Sequence, residues 1–160
     1  MLKYIDTQIV FREIPDEITL AINISNCPNR CEGCHSPHLW EDIGEELNEN
    51  SLKELIEKNK GITCVSFMGG DSDPLGIHIL AEWVKNNTEL KTCWYSGREL
   101  HYLNHLHDRL DFVKTGAYIK KLGGLDNPNT NQRFYKVNHP KDDSPNTFED
   151  ITFKFWNNEN

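Results

Sequence analysis

The stretch Ile18-Thr19-Leu20-Ala21-Ile22-Asn23-Ile24-Ser25-Asn26-Cys27-Pro28-Asn29-Arg30-Cys31-Glu32-Gly33-Cys34 joins two patterns. Ile18, Leu20, Ile22 and Ile24 alternate with Thr19, Ala21 and Asn23, the period of two that marks a β-strand. Three cysteines then follow within eight positions, with three and then two residues between them. Thiolates are soft ligands that select zinc, copper(I) or iron–sulfur clusters. A structural zinc site is closed by four ligands, and the four-cysteine ferredoxin spacings differ from this one. The spacing predicts a metal centre with one position free of protein thiolate. It lies at the C-terminal end of a strand, where open α/β sheets place their ligands.

Working outward, the strand before this loop is preceded by Gln8 to Ile14, which reads as a short edge strand, and by a turn at Pro15-Asp16. Residues 36–50 are polar and loop-like, with one turn near Leu39 to Ile43. Ser51-Leu52-Lys53-Glu54 has the form of a capping box, and Leu52, Leu55 and Ile56 make an apolar stripe, so a helix is expected over about residues 51–60. Cys64 to Met68 is a buried-strand candidate running into Gly69-Gly70. Ile77, Leu80, Ala81 and Val84 predict a helix over 74–87, Thr92 to Tyr95 a strand, and Arg98 to Leu110 a further helix. Phe112 to Thr115 and Arg133 to Val137 read as strands, separated by a loop from Lys120 to Asn131. His139 to Asn146 is a linker, and Ile151, Phe153 and Phe155 alternate as a terminal edge strand.

Strand and helix in alternation imply an α/β fold with a mainly parallel sheet. At 160 residues the chain is one domain, 1–160, and too short for a closed eight-stranded barrel of about 250 residues. A partial, open (βα) barrel is therefore expected. The five cysteines, an odd number with three clustered, argue against a disulfide framework. The net charge of −8 lacks the basic footprint that phosphate binding needs, so nucleic acid is not the expected partner. With 37% hydrophobic residues and a mean hydropathy of −0.66, no run approaches the roughly 18 apolar residues of a membrane span. The start, Met1 to Asp6, lacks a signal-peptide pattern. A cytoplasmic location, where thiols stay reduced, is the expectation.

The loop resembles the cluster motif of radical S-adenosylmethionine (SAM) enzymes. Its flanks, Cys27-Pro28-Asn29-Arg30-Cys31-Glu32-Gly33-Cys34-His35 followed by Pro37, His38 and Trp40, are similar to the family that activates anaerobic ribonucleoside-triphosphate reductase. Gly33 stands where most radical SAM enzymes carry a bulky residue. The resemblance continues through Gly69-Gly70-Asp71, Tyr95-Ser96-Gly97, Thr115-Gly116-Ala117-Tyr118 and Asn131-Gln132-Arg133. It covers a core of about 18–137 and leaves 138–160 as a C-terminal extension.

The resemblance implies the following chemistry. Cys27, Cys31 and Cys34 hold three irons of a [4Fe–4S] cluster, and the fourth iron takes SAM through its amino and carboxylate groups. One electron entering the sulfonium yields a 5′-deoxyadenosyl radical, which abstracts a hydrogen atom. Gly33, Cys34 and His35 line the adenosine side, Gly33 because a bare backbone lets a ligand come close. Gly69, Gly70 and Asp71 offer acceptors to the SAM ammonium, which has only donors. Their plainer reading is a glycine turn with a capping aspartate. The family runs from this motif straight into Pro-Leu, whereas Ser72-Asp73 intervenes here, so either Asp71 or Asp73 faces the ligand. Ser96 is a candidate hydrogen-bond partner for the SAM carboxylate or ribose, or part of a plain turn. Lys114 replaces the acidic residue the family often has before its glycine, which argues against a SAM role for that strand. Asn131-Gln132-Arg133 shapes the substrate or partner side, or is a solvated turn.

Three functions follow from these readings. The first is an activase that installs a glycyl radical on the large subunit of anaerobic ribonucleotide reductase, fed by a flavodoxin or ferredoxin type electron donor. The chain itself has no Arg-Val-x-Gly-Tyr segment, which suits activator rather than target. The second is another small radical SAM enzyme, similar to 7-carboxy-7-deazaguanine synthase. The third is a non-catalytic zinc module completed by His35 or His38. Elsewhere, Cys64 and Cys93 read as core, His101, His105 and His107 as a solvated helix face rather than a metal pair, and Trp40, Trp83, Trp94 and Trp156 as packing.

Overall fold

The computed structural model describes residues 1–34, 36–102 and 104–156, with 104 and 105 by backbone alone. Eight strands form one open sheet. They are β1 (Lys3–Val10), β2 (Thr19–Ile24), β3 (Glu45–Glu46), β4 (Cys64–Met68), β5 (Lys91–Tyr95), β6 (Phe112–Thr115), β7 (Arg133–Asn138) and β8 (Thr147–Asp150). Their order across the sheet is β3-β1-β2-β4-β5-β6-β7-β8. Two α-helices, α1 (Glu49–Lys58) and α2 (Pro74–Asn87), connect β2 to β4 and β4 to β5.

Only the centre is parallel. β2, β4, β5 and β6 run the same way, while β1, β3, β7 and β8 attach antiparallel. The sheet is thus mixed rather than mainly parallel. β1 and β2, β6 and β7, and β7 and β8 are joined without a crossover helix, and each pair runs antiparallel side by side.

The pleat sorts the central strands between two cores. Leu20, Ile22, Val65, Phe67, Trp94 and Val113 pack toward Leu52 of α1 and Ile77, Leu80, Ala81 and Val84 of α2. On the opposite face, Cys64, Cys93, Phe112 and Phe134 pack with Ile14 and Ile151. Strands buried on both faces are what a parallel centre requires. Cys64 and Cys93 are core residues, as expected from sequence. Burial pushes the Cys64 thiol up to about 12 and the Cys93 thiol well above its ordinary value, so both stay protonated.

Several boundaries differ from the sequence expectation. The first strand is Lys3–Val10 rather than 8–14. Helix α1 starts earlier because Asn48 is its N-cap, sharing a reciprocal capping box with Ser51, instead of Ser51 with Glu54. Residues 98–110 form two 3₁₀ segments, Leu100–Tyr102 and Asn104–Arg109, in place of an α-helix. Their Asn, His and Tyr content is poor in strong helix formers. The terminal strand is Thr147–Asp150, and residues 152–155 turn away as a 3₁₀ helix. Asp150 turns them by accepting from both the amide and the hydroxyl of Thr152, while the Thr152 hydroxyl accepts from the Phe134 amide.

Phe67 is fully buried in the middle of the parallel centre. Phe67→Ala should cost about 3–5 kcal/mol, read as a lowered urea midpoint with an unchanged m-value.

Candidate iron–sulfur centre

The parallel centre brings four strand ends to one edge of the sheet. The cysteine loop leaves β2, Gly69-Gly70-Asp71 leaves β4, Ser96-Gly97 leaves β5 and Gly116 leaves β6. The cysteine loop is pinned along its length. The Asn26 and Cys27 amides donate to Glu41 and Leu39 carbonyls at 2.8 and 2.9 Å. Asn26, Arg30 and Gly33 take left-handed φ of 60°, 44° and 75°, which coils the loop tightly between its thiols. At Gly33 a Cβ would come within 3.3 Å of Lys120 and 3.4 Å of Tyr118, so the glycine suits both its backbone and its packing.

The thiols have donors directed at them. The Ser36 amide lies 3.3 Å from Cys34 Sγ, and Asn29 Nδ2 lies 3.6 Å from Cys27 Sγ. Such contacts to sulfur are among the levers that tune a cluster. Cys27, Cys31 and Cys34 are all half-buried free thiols. Among the described residues, no three His, Cys, Asp or Glu side chains are placed to hold a single metal ion. Soft thiolates are ligands that iron–sulfur clusters use, so the donor chemistry of Cys27, Cys31 and Cys34 fits a cluster, and Cys64 and Cys93, locked in the sheet as thiols, add no fourth thiolate.

Asp71 is the polar hub of this edge. It is 4% exposed. Its Oδ1 accepts from Ser96 Oγ at 2.6 Å, and its Oδ2 accepts from Asn29 Nδ2 at 2.6 Å and the Gly97 amide at 2.8 Å. One carboxylate therefore ties the cysteine loop to the ends of β4 and β5. Gly97 is required by this contact: a Cβ there would sit 2.6 Å from Asn29 Nδ2. Asp73 does something else. It caps α2 through the Gly76 amide and faces the N-terminal amine at 3.5 Å.

A cavity of about 1050 Å³ opens beside the loop, walled by Cys34, Met68, Tyr95, Lys114, Tyr118 and Gln132 among others. Of the expected site residues, Cys34 reaches this cavity. Gly69, Gly70, Asp71 and Ser96 do not line it, and the two glycine carbonyls, the Asp71 carboxylate and the Ser96 hydroxyl are already engaged. The Gly69 carbonyl accepts from Trp94 Nε1 at 2.7 Å, and the Gly70 carbonyl from the Asp73 amide at 3.0 Å. Ser96 Oγ donates to Asp71 and accepts from the Arg98 amide. His35 lies outside the described residues. Gln132 is buried against the Gly116 carbonyl, Asn131 Nδ2 bonds the Ala117 carbonyl, and Arg133 pairs with Asp150.

Two residues at the site have roles that the sequence reading did not give them. Asn29 fills a spacer position of the cysteine motif, where only its side chain's destination reveals a role. Lys114 sits on the cavity face by the alternation of β6. Its Nζ donates to the Ser96 and Gly116 carbonyls, both at 3.0 Å. Burial pushes its ammonium down to about 8, opposed by Asp71 and by the Cys31 and Cys27 sulfurs.

Residues 18–133 match the family described as 4Fe-4S single cluster domain. The chain belongs to that family. No curated protein and no solved structure matches the chain. As a 4Fe-4S single cluster domain protein it is an iron–sulfur protein, and the match spans the cysteine loop and all four strand ends gathered around it. No helix among the described residues is long and apolar enough to cross a membrane.

Asp71→Asn and Gly97→Ala should each release Asn29 and lower the iron and acid-labile sulfide retained per chain after anaerobic reconstitution. Asp73→Ala should retain both and lose only about 1 kcal/mol of stability, the usual value of an N-cap.

Proposed function

We propose that this iron–sulfur protein is a radical SAM activase that installs a glycyl radical on an anaerobic ribonucleotide reductase. The observation that carries this reading is a loop with three thiols, one of which, Cys34, stands in the wall of a cavity large enough for a cofactor. Cys27, Cys31 and Cys34 would hold the cluster, leaving one iron without a thiolate. When bound, the cluster and SAM supply a 5′-deoxyadenosyl radical by one-electron cleavage of the sulfonium. The protein's own part is to hold, orient and exclude water.

Cys34 places the cluster loop in the cavity wall, and Met68, Tyr95 and Tyr118 give that wall the apolar and aromatic surface a nucleoside favours. The Tyr95 hydroxyl donates to the Glu13 carbonyl, which fixes its ring. The motif Gly69-Gly70-Asp71 acts first as scaffold in this reading, because its acceptors are already bonded; each glycine carbonyl keeps a second lone pair for an ammonium. Of the two aspartates weighed from sequence, this reading takes Asp71 for the site because it holds Asn29 of the cysteine loop, while Asp73 caps α2. A primary carbon radical does not survive transit through water, so the glycine-bearing segment of the reductase has to enter the cavity. A low-potential flavodoxin or ferredoxin would supply the electron, and a cytoplasmic setting follows from these partners.

The test uses anaerobically reconstituted protein, dithionite, SAM and the candidate reductase. The expected result is 5′-deoxyadenosine together with a glycyl radical signal in electron paramagnetic resonance, both abolished by Cys31→Ala. Deoxyadenosine without the glycyl signal would move the assignment to a small radical SAM enzyme acting on a small molecule, of the 7-carboxy-7-deazaguanine synthase kind. A colourless, zinc-loaded protein would end it.

A further inference from the structure

Lys114 is a cation held where cations are costly. Its ammonium has three donors, and two of them are spent on the Ser96 and Gly116 carbonyls. Among the described residues no carboxylate forms an ion pair with it. Asp71 is the first carboxylate to act on it, yet that group already accepts three hydrogen bonds from Asn29, Ser96 and Gly97. The Tyr95 ring, 5.8 Å from Nζ, offers only its face. After Asp71, the groups that act most strongly on Lys114 are the Cys31 and Cys27 sulfurs, and Lys114 shares the cavity wall with Cys34. Removing a charge from water and leaving it without a partner is destabilising. The position therefore calls for a negative group of some size nearby.

We infer that Lys114 is a positioning residue for the cluster's charge: its fixed ammonium favours the reduced cluster and raises the reduction potential. The step is a one-electron transfer from a low-potential donor, with no bond made or broken. Reduction makes the cluster one unit more negative, and a nearby cation in a low-dielectric wall stabilises that extra charge. The two carbonyls hold the ammonium in place, so the field does not depend on a mobile side chain. The same lysine that argued against a role for this strand when read as a missing carboxylate is, on this inference, the strand's contribution. The inference rests on the cysteines holding the cluster and is independent of SAM.

The experiment is a potentiometric titration of the full chain, reconstituted anaerobically and followed by electron paramagnetic resonance with dithionite as reductant. Lys114→Gln keeps an amide donor for the two carbonyls and removes the charge; Lys114→Met removes both; Lys114→Arg keeps the charge. The neutral variants should lower the reduced-to-oxidised ratio at least tenfold at fixed potential, a negative shift of about 59 mV for one electron. The arginine variant should stay near wild type. A cluster-loaded Lys114→Gln with the wild-type potential overturns the inference. If neither neutral variant holds a cluster while its far-ultraviolet circular dichroism stays native, Lys114 serves cluster retention and not the potential, and the inference is overturned. Loss of the fold in both assigns Lys114 a structural role and overturns it. Wild-type protein that takes up no iron and sulfide overturns the cluster assignment itself, a separate outcome.

Discussion

A buried carboxylate must be satisfied by donors or it destabilises the fold, and at Asp71 the donors come from separate loops. Asn29 brings the cysteine loop, Ser96 and Gly97 bring the end of β5, and Asp71 itself stands at the end of β4. The cysteine loop and the end of β5 find their partner in the same two oxygens. Cluster ligands need fixed spacing, and a loop with three left-handed residues has little intrinsic order. The hub converts the rigidity of the parallel strands into rigidity of the thiol set. The sheet below the site matters chiefly through this connection.

The second determinant is the pleat. On each parallel strand, alternate residues face α1 and α2 or face the cavity. Thus Val65, Phe67, Trp94 and Val113 build the helix-side core, and Met68, Tyr95 and Lys114 reach the cavity wall. The helices crowd one face. The opposite face is covered by a smaller cluster around Phe134, Ile151 and Phe155, which leaves room at the carboxyl ends of the strands. A ligand-sized space there is a result of uneven covering, with no gap in the main core.

Much of this was legible in the sequence. The strand from Thr19 to Ile24 and helix α2 follow from periodicity alone, since apolar residues at those spacings have one way to be buried. The cysteine spacing pointed to a metal centre, and the family match agrees with iron and sulfur. The antiparallel flanks were not legible, because pairing direction depends on what links two strands and not on the strands themselves. Residues 98–110 carry helical spacing, but their composition and the neighbouring strand ends favour tighter 3₁₀ turns. The terminal alternation at Ile151, Phe153 and Phe155 misled for a local reason: Asp150 captures Thr152 and bends the chain one residue earlier. At the site, the sequence reading singled out the glycines and Asp71, and the structure ties Asp71 to Asn29, Ser96 and Gly97. Their role as an internal tie was hidden, because a sequence does not say whether an acceptor is still free.

Phe155 helps wall the cavity that Cys34 lines, although most of the chain separates them in sequence. The wall beside Cys34 is therefore completed by a residue translated long after the loop itself. Until Phe155 docks, a nascent chain lacks one side of the space that Cys34 borders.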